Sequence, residues 1–228
     1  MKITPLTPAC LPPGVQLWLR PGAGSALTAD GQADGQEDGQ VLSAQELVWG
    51  EALAPAGRRR YWQSRAAMRQ VLAAALDCTP QAVPLRSPPG QPPDLAGGWV
   101  SLSHSGDGLL VGYAPRPIGV DLEWAERPLE PGPLARRFFP ADECAQLLQL
   151  PPAQRRRAFL ESWVRKEAAI KWQADGRLAS DLVNWHWDGG AAQLTHGRAG
   201  WQPQVTLCER EGWLCAAVGD AVERGIWG

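Results

Sequence analysis

The chain has 228 residues, 44% hydrophobic and 20% charged, with a formal net charge of −2, which fits a soluble globular protein able to bury one large core or two small ones. Without a basic excess, a nucleic-acid binder that works by neutralising phosphates is disfavoured. Of the 22 basic residues only three are lysine, and two of these, Lys166 and Lys171, stand five positions apart.

The first residues, MKITPLTPACLPPG, lack the apolar stretch of a secretory signal, and no later run approaches the ~20 apolar residues that span a bilayer. A cytoplasmic protein with no membrane partner is therefore expected. Cys10, Cys78, Cys144, Cys208 and Cys215 form no CxxC pair and are odd in number, so reduced thiols are expected rather than a disulfide framework or zinc ribbon.

Residues 15–20, VQLWLR, predict a strand at the edge of a sheet. The tract 29–40, ADGQADGQEDGQ, is acidic, repeats DGQ three times and offers nothing to bury, as in a disordered surface loop. Ser43 and Glu46 have the spacing of a capping box that starts a helix. A second helix is expected across 58–76, rich in helix formers.

A Pro/Gly loop over 84–98 precedes two strands flanking the turn Ser-His-Ser-Gly-Asp-Gly, and IGVDLEW at 118–124 reads as another strand. Helices follow around 141–149 and from about 153 to 173. The last fifty residues alternate again, with short strands near 183–187, 192–195, 203–208 and 212–218. Strand, helix, helix and strands thus occur twice, a halving at about residue 115 that suggests two similar α+β subdomains.

Asp121 and Glu123 are two apart on a strand, so both leave one face. They either converge on a cation or decorate a solvated face. Trp163, Glu167 and Lys171 form one helical stripe. A Glu–Lys pair there is ordinary, but in a chain that otherwise uses arginine a retained lysine suggests a compact, transferable charge. Three carboxylates with one lysine suit Mg2+ holding a pyrophosphate. His104, in its turn, is either solvated or, with Ser103 and the nearby glycines, a phosphate contact. Arg58, Arg59, Arg60, Arg65 and Arg69 are either a solvated helix face or an anion site. Neither HExxH nor GxSxG occurs, so a Ser-His-Asp hydrolase is poorly supported.

LSHSG at 102–106, IGVDLE at 118–123 and WVRKEAAIK at 163–171, in that order and spacing, resemble the signature blocks of the Sfp-type 4'-phosphopantetheinyl transferases, in the branch with the W…KEA…K form. The resemblance covers about residues 15–218. It implies an α+β pseudodimer in one chain, each subdomain a small antiparallel sheet packed with helices, divided as 1–114 and 115–228, with coenzyme A and Mg2+ (or Mn2+) between the halves. It also implies transfer of phosphopantetheine from coenzyme A to a serine of an apo acyl or peptidyl carrier protein, releasing adenosine 3',5'-bisphosphate.

By that resemblance Asp121, Glu123 and Glu167 match the metal-binding acids, with Glu167 also a base, and Lys171 matches the lysine at the departing phosphate. Ser103, His104 and Arg65 match coenzyme A contacts. The chain departs from the family at Gly90-Gln91-Pro92, where Gly-Lys-Pro is common, and Arg58 to Arg60 stand in for basic residues usual before Arg65. A monomer is expected. The alternatives are a non-catalytic coenzyme A or carrier-binding module and, less favoured by charge, a metal-dependent nuclease. Arg136, Arg137 and Arg155 to Arg157 are expected to steer an acidic carrier.

Overall fold

The computed structural model describes residues 3–8, 11–12, 14–22, 40–173 and 179–220. Positions 29–39 of the DGQ tract lie outside the described residues. Among the described residues the architecture is α+β, with five α-helices and antiparallel sheets of four, three, two and two strands.

Strand β1 (Thr4–Leu6) pairs with β2 (Gln16–Arg20), β2 with β6 (Gly108–Ala114), and β6 with β5 (Trp99–Ser105). β2 is therefore internal rather than the edge strand expected from VQLWLR, because β1 covers its free side. The turn between β5 and β6 is also tighter than expected. His104 and Ser105 belong to the ladder, opposite Leu109 and Gly108, and only Gly106 and Asp107 turn the chain. Gly106 has φ +55, a positive φ that glycine adopts without steric cost in a two-residue hairpin turn.

The second sheet has the order β10 (Gln204–Arg210), β11 (Trp213–Gly219), β7 (Ile118–Trp124). Two-stranded pairs β3 (Leu85–Arg86) with β4 (Asp94–Leu95) and β8 (Trp185–Asp188) with β9 (Gln193–His196) complete the strands. The helices are α1 (Ala44–Glu51), α2 (Pro55–Ala75), α3 (Pro131–Phe138), α4 (Ala141–Gln149) and α5 (Pro152–Gln173). The expected capping box is present: Glu46 N–H donates to Ser43 Oγ at 3.3 Å, and Ser43 N–H to Glu46 Oε2 at 2.9 Å.

Period-two alternation explains the layering. On β2 and β6, Trp18, Leu109 and Val111 pack with Met68, Val71 and Leu72 of α2. Leu17, Leu19 and Leu110 point the other way and meet Val120, Leu122, Trp213 and Cys215 of the second sheet. Leu214, Ala216 and Val218 of β11 then turn to Leu160, Val164 and Ala168 of α5. The result is helix, sheet, sheet, helix, and strands buried on both faces read as nearly unbroken apolar runs.

Gly119 sets the approach of α5 to β7. A Cβ there would lie 1.9 Å from the Ala168 carbonyl oxygen, so only glycine lets the helix come this close. The same face of β7 carries Asp121 and Glu123.

Candidate active site

A cleft of about 370 Å³ opens where β5, β7 and α5 meet. β7 contributes Asp121 and Glu123, and α5 contributes Trp163, Glu167 and Lys171, one stripe as their four-residue spacing predicts. β5 contributes Ser103 and His104, and the loop after β7 contributes Arg127.

Both β7 acids are buried, at 6% and 7% exposure, and a buried carboxylate needs donors. Asp121 Oδ1 accepts from Lys171 Nζ at 2.7 Å and from Ser103 Oγ at 2.7 Å. Glu123 Oε2 accepts from Ser105 Oγ at 2.7 Å, and its Oε1 pairs with Arg127. Burial pushes the Glu123 carboxyl above the usual range, opposed by Ser105 and Arg127 and assisted by Asp121. Burial, with Asp121 and Glu123 adding to it and Lys171 opposing, pushes Glu167 up to about 7. The surrounding protein and the Arg60 guanidinium, then Lys171 and Arg65, hold His104 below the usual imidazole range.

The expected acids, Lys171, Ser103 and His104 are thus brought together. Arg58 and Arg65 are not among the cleft-lining residues. Arg58 pairs with Glu51 at 3.0 Å and donates to the carbonyls of Glu51 and Leu53. Arg65 is buried, donates to Ser87 O at 3.1 Å and to Ser64 Oγ at 3.1 Å, and lies 4.7 Å over the Tyr61 ring. From the same basic cluster it is Arg60 that reaches the β5–β6 turn, donating to Gly106 O at 2.9 Å. Arg69 is buried against Glu46 at 2.6 Å and is structural.

Ser105 and Arg127 are the residues that sequence reasoning missed. Ser105 stands inside the LSHSG block beside His104, and Arg127 follows Glu123 by four, so both signals were present. Arg155 donates to Leu148 O and Leu150 O, Arg156 pairs with Glu126, and Arg157 with Glu161 and Glu209. All three arginines of that run have partners within the chain, and Arg136 and Arg137 on α3 are exposed.

The donor set suits a hard divalent cation, since all three acids offer oxygen. Among the described residues, however, no three His, Cys, Asp or Glu side chains converge closely enough to hold a metal ion as they stand. Lys171 and Arg127 take carboxylate oxygens that a cation would need.

The model of the 4'-phosphopantetheinyl transferase superfamily matches residues 117–218. The Synechocystis sp. protein slr0495, whose name marks it as a candidate 4'-phosphopantetheinyl transferase, is 33% identical over 183 residues, covering 75% of this chain and 69% of its own. HetI of Nostoc sp., a 4'-phosphopantetheinyl transferase, is 34% identical over 130 residues, 54% of each chain. AcpT of Salmonella typhimurium, with the same enzyme name, is 35% identical over 143 residues, 58% of this chain and 72% of its own.

Proposed function

This chain belongs to the 4'-phosphopantetheinyl transferase superfamily, and we propose that it moves the phosphopantetheine arm of coenzyme A onto a serine of an apo acyl or peptidyl carrier protein. The observation that carries the reading is the single cleft in which Asp121, Glu123, Glu167 and Lys171 meet His104 and Ser103.

The carrier hydroxyl attacks the pyrophosphate phosphorus nearest the pantetheine; the new O–P bond forms as the bond to adenosine 3',5'-bisphosphate breaks. Glu167, raised toward neutrality by burial and its acidic neighbours, accepts the hydroxyl proton directly or through water. Lys171 offers a compact positive charge or a proton to the departing phosphate. His104, with Arg60 beside it, receives the 3'-phosphate end of the nucleotide, Ser103 lines the same wall, and Arg65 braces it through Ser87 and Tyr61. Arg58, tied to Glu51, braces the start of α2 in this proposal instead of touching coenzyme A.

Asp121, Glu123 and Glu167 would hold Mg2+ or Mn2+ once Lys171 and Arg127 release the oxygens they occupy. Such a cation supplies charge neutralisation at the pyrophosphate, where positioning and electrostatics carry most of the catalysis.

Two halves divided at 114 and 115, a pseudodimer, agree with each half laying one long helix over one antiparallel sheet. A cytoplasmic monomer is the corresponding proposal; no helix among the described residues is long and apolar enough to cross a membrane. Exposed Arg136 and Arg137 suit an acidic carrier surface, and carrier KM should rise with salt if they steer it. Incubation with coenzyme A, Mg2+ and a panel of apo carriers, read by intact mass, tests the reading. A gain of one phosphopantetheine supports it, whereas coenzyme A binding with no carrier mass change would favour a non-catalytic module.

A further inference from the structure

β5 and β7 lie side by side at the cleft, yet each ends its own sheet and no backbone ladder joins them. Side chains cross the gap instead. Ser101, Ser103 and Ser105 alternate along β5 and so leave one face. Ser101 Oγ accepts the Val120 N–H at 3.0 Å, Ser103 Oγ donates to Asp121 at 2.7 Å, and Ser105 Oγ donates to Glu123 at 2.7 Å. The row binds the first half of the chain to the acid-bearing strand of the second, with a register of one serine to each successive β7 contact.

We infer that Ser105 is a positioning residue, fixing the Glu123 carboxylate for a divalent cation. The inference rests on the proposed role of Glu123 as a metal ligand. Glu123 has two charged or polar partners of different kinds. Arg127 is 48% exposed along its side chain and reaches Glu123 from a loop on a long, flexible stem. Ser105 has one short side-chain torsion and is fixed on β5 by pairing with Gly108.

An arriving cation competes with a guanidinium for the same carboxylate, because both are positive. It does not compete with a neutral hydroxyl, which uses one lone pair of Oε2 and leaves the others free. Arg127 is therefore the partner that leaves, and Ser105 the one that stays and holds the carboxylate in a single rotamer. Outer partners that orient metal ligands in this way typically contribute about 10–100-fold in metal affinity or activity.

The test is Mn2+ binding to the full-length protein, measured by electron paramagnetic resonance without coenzyme A, alongside transfer kinetics as a function of Mg2+. Ser105→Ala is expected to weaken Mn2+ binding about tenfold and to raise the Mg2+ requirement for transfer, and Ser105→Thr to restore both. Should the alanine variant not fold by circular dichroism, Ser105→Cys, a near-isosteric weak donor, takes its place. Glu123→Ala separates the metal role of Glu123 from the positioning role of Ser105. If it leaves Mn2+ affinity unchanged, the metal role of Glu123 fails. If it weakens binding while Ser105→Ala does not, the positioning role fails. Loss of affinity in Arg127→Ala as large as in Ser105→Ala would assign the role to the arginine and overturn the inference, as would failure of threonine to rescue.

Discussion

Lys166 and Lys171 show how little sequence distance says about chemistry. Lys166 is completely buried, donates to Glu143 Oε2 at 2.6 Å and sits 3.8 Å over the Phe139 ring. Lys171 lies on the cleft wall against Asp121. The helical stripe of Trp163, Glu167 and Lys171 was legible because spacing fixes which residues share a face. The partner of Lys166 was not, since nothing local pairs residue 166 with residue 143. Lys171→Arg keeps the charge but substitutes a planar group that does not give up a proton. Transfer should fall about 10²-fold, the lower range for a lost general acid, with unchanged melting; near-normal turnover would reduce Lys171 to a charge. Arg60→Ala should raise the KM for coenzyme A, whereas Arg58→Ala should leave it unchanged.

Among the elements, α5 is held to three neighbours by two different means. Gly119 admits it to β7, and the Lys166–Glu143 pair, with Ser162 and the Trp187 N–H also on Glu143, locks it to α4 and β8. Burial lowers Lys166 to about 8, opposed by Glu143, so this pair depends on mutual compensation. Glu143→Ala should destabilise the fold by about 3–5 kcal/mol, as breaking a buried pair from one side does, and Lys166→Met with Glu143→Leu should recover part of the loss; urea unfolding measures both. Gly119→Ala should cost about 1–3 kcal/mol by overpacking and impair transfer through displacement of Glu167. The strand IGVDLEW and the helix after residue 152 could be read from periodicity. The serine row between β5 and β7 could not, because it is a side-chain seam between strands that share no ladder, and sequence pattern speaks to ladders and faces. The internal position of β2 escaped for a related reason: three residues of β1 carry little strand signal of their own.

Over the whole molecule, two sheets face each other with one long helix outside each, and the cleft lies where the sheets' end strands meet. The alternation of strand and helix patterns made the α+β class legible; how the two larger sheets meet depends on long-range packing of Leu17, Leu110, Val120 and Trp213. Stability should also carry a mark of the buried network under β8 and β9. There Asp181 accepts from Gln173 at 3.0 Å, Asn184 at 2.5 Å and His196 Nε2 at 3.0 Å, the His196 tautomer being set by Ala199 N–H on Nδ1. Burial acts to raise the Asp181 carboxyl, but the bonds from Asn184, Gln173 and His196 outweigh it and hold the group below its ordinary 3.8. A folded-state value below the unfolded one stabilises at higher pH and is lost as pH falls through the folded value. Denaturation profiles of the wild type should therefore decline on acidification below about pH 4, and Asp181→Asn should decline less steeply.

In the proposed reaction, acids from β7 and α5 act together in one transfer site. The most direct measurement of this joint role is carrier modification by Asp121→Asn and Glu167→Gln, each shown folded by circular dichroism, with coenzyme A, Mg2+ and an apo carrier that the wild type modifies. Both variants should lose transfer by about 10²-fold or more, with release of adenosine 3',5'-bisphosphate falling in step. Undiminished mass gain on the carrier with either variant would contradict it.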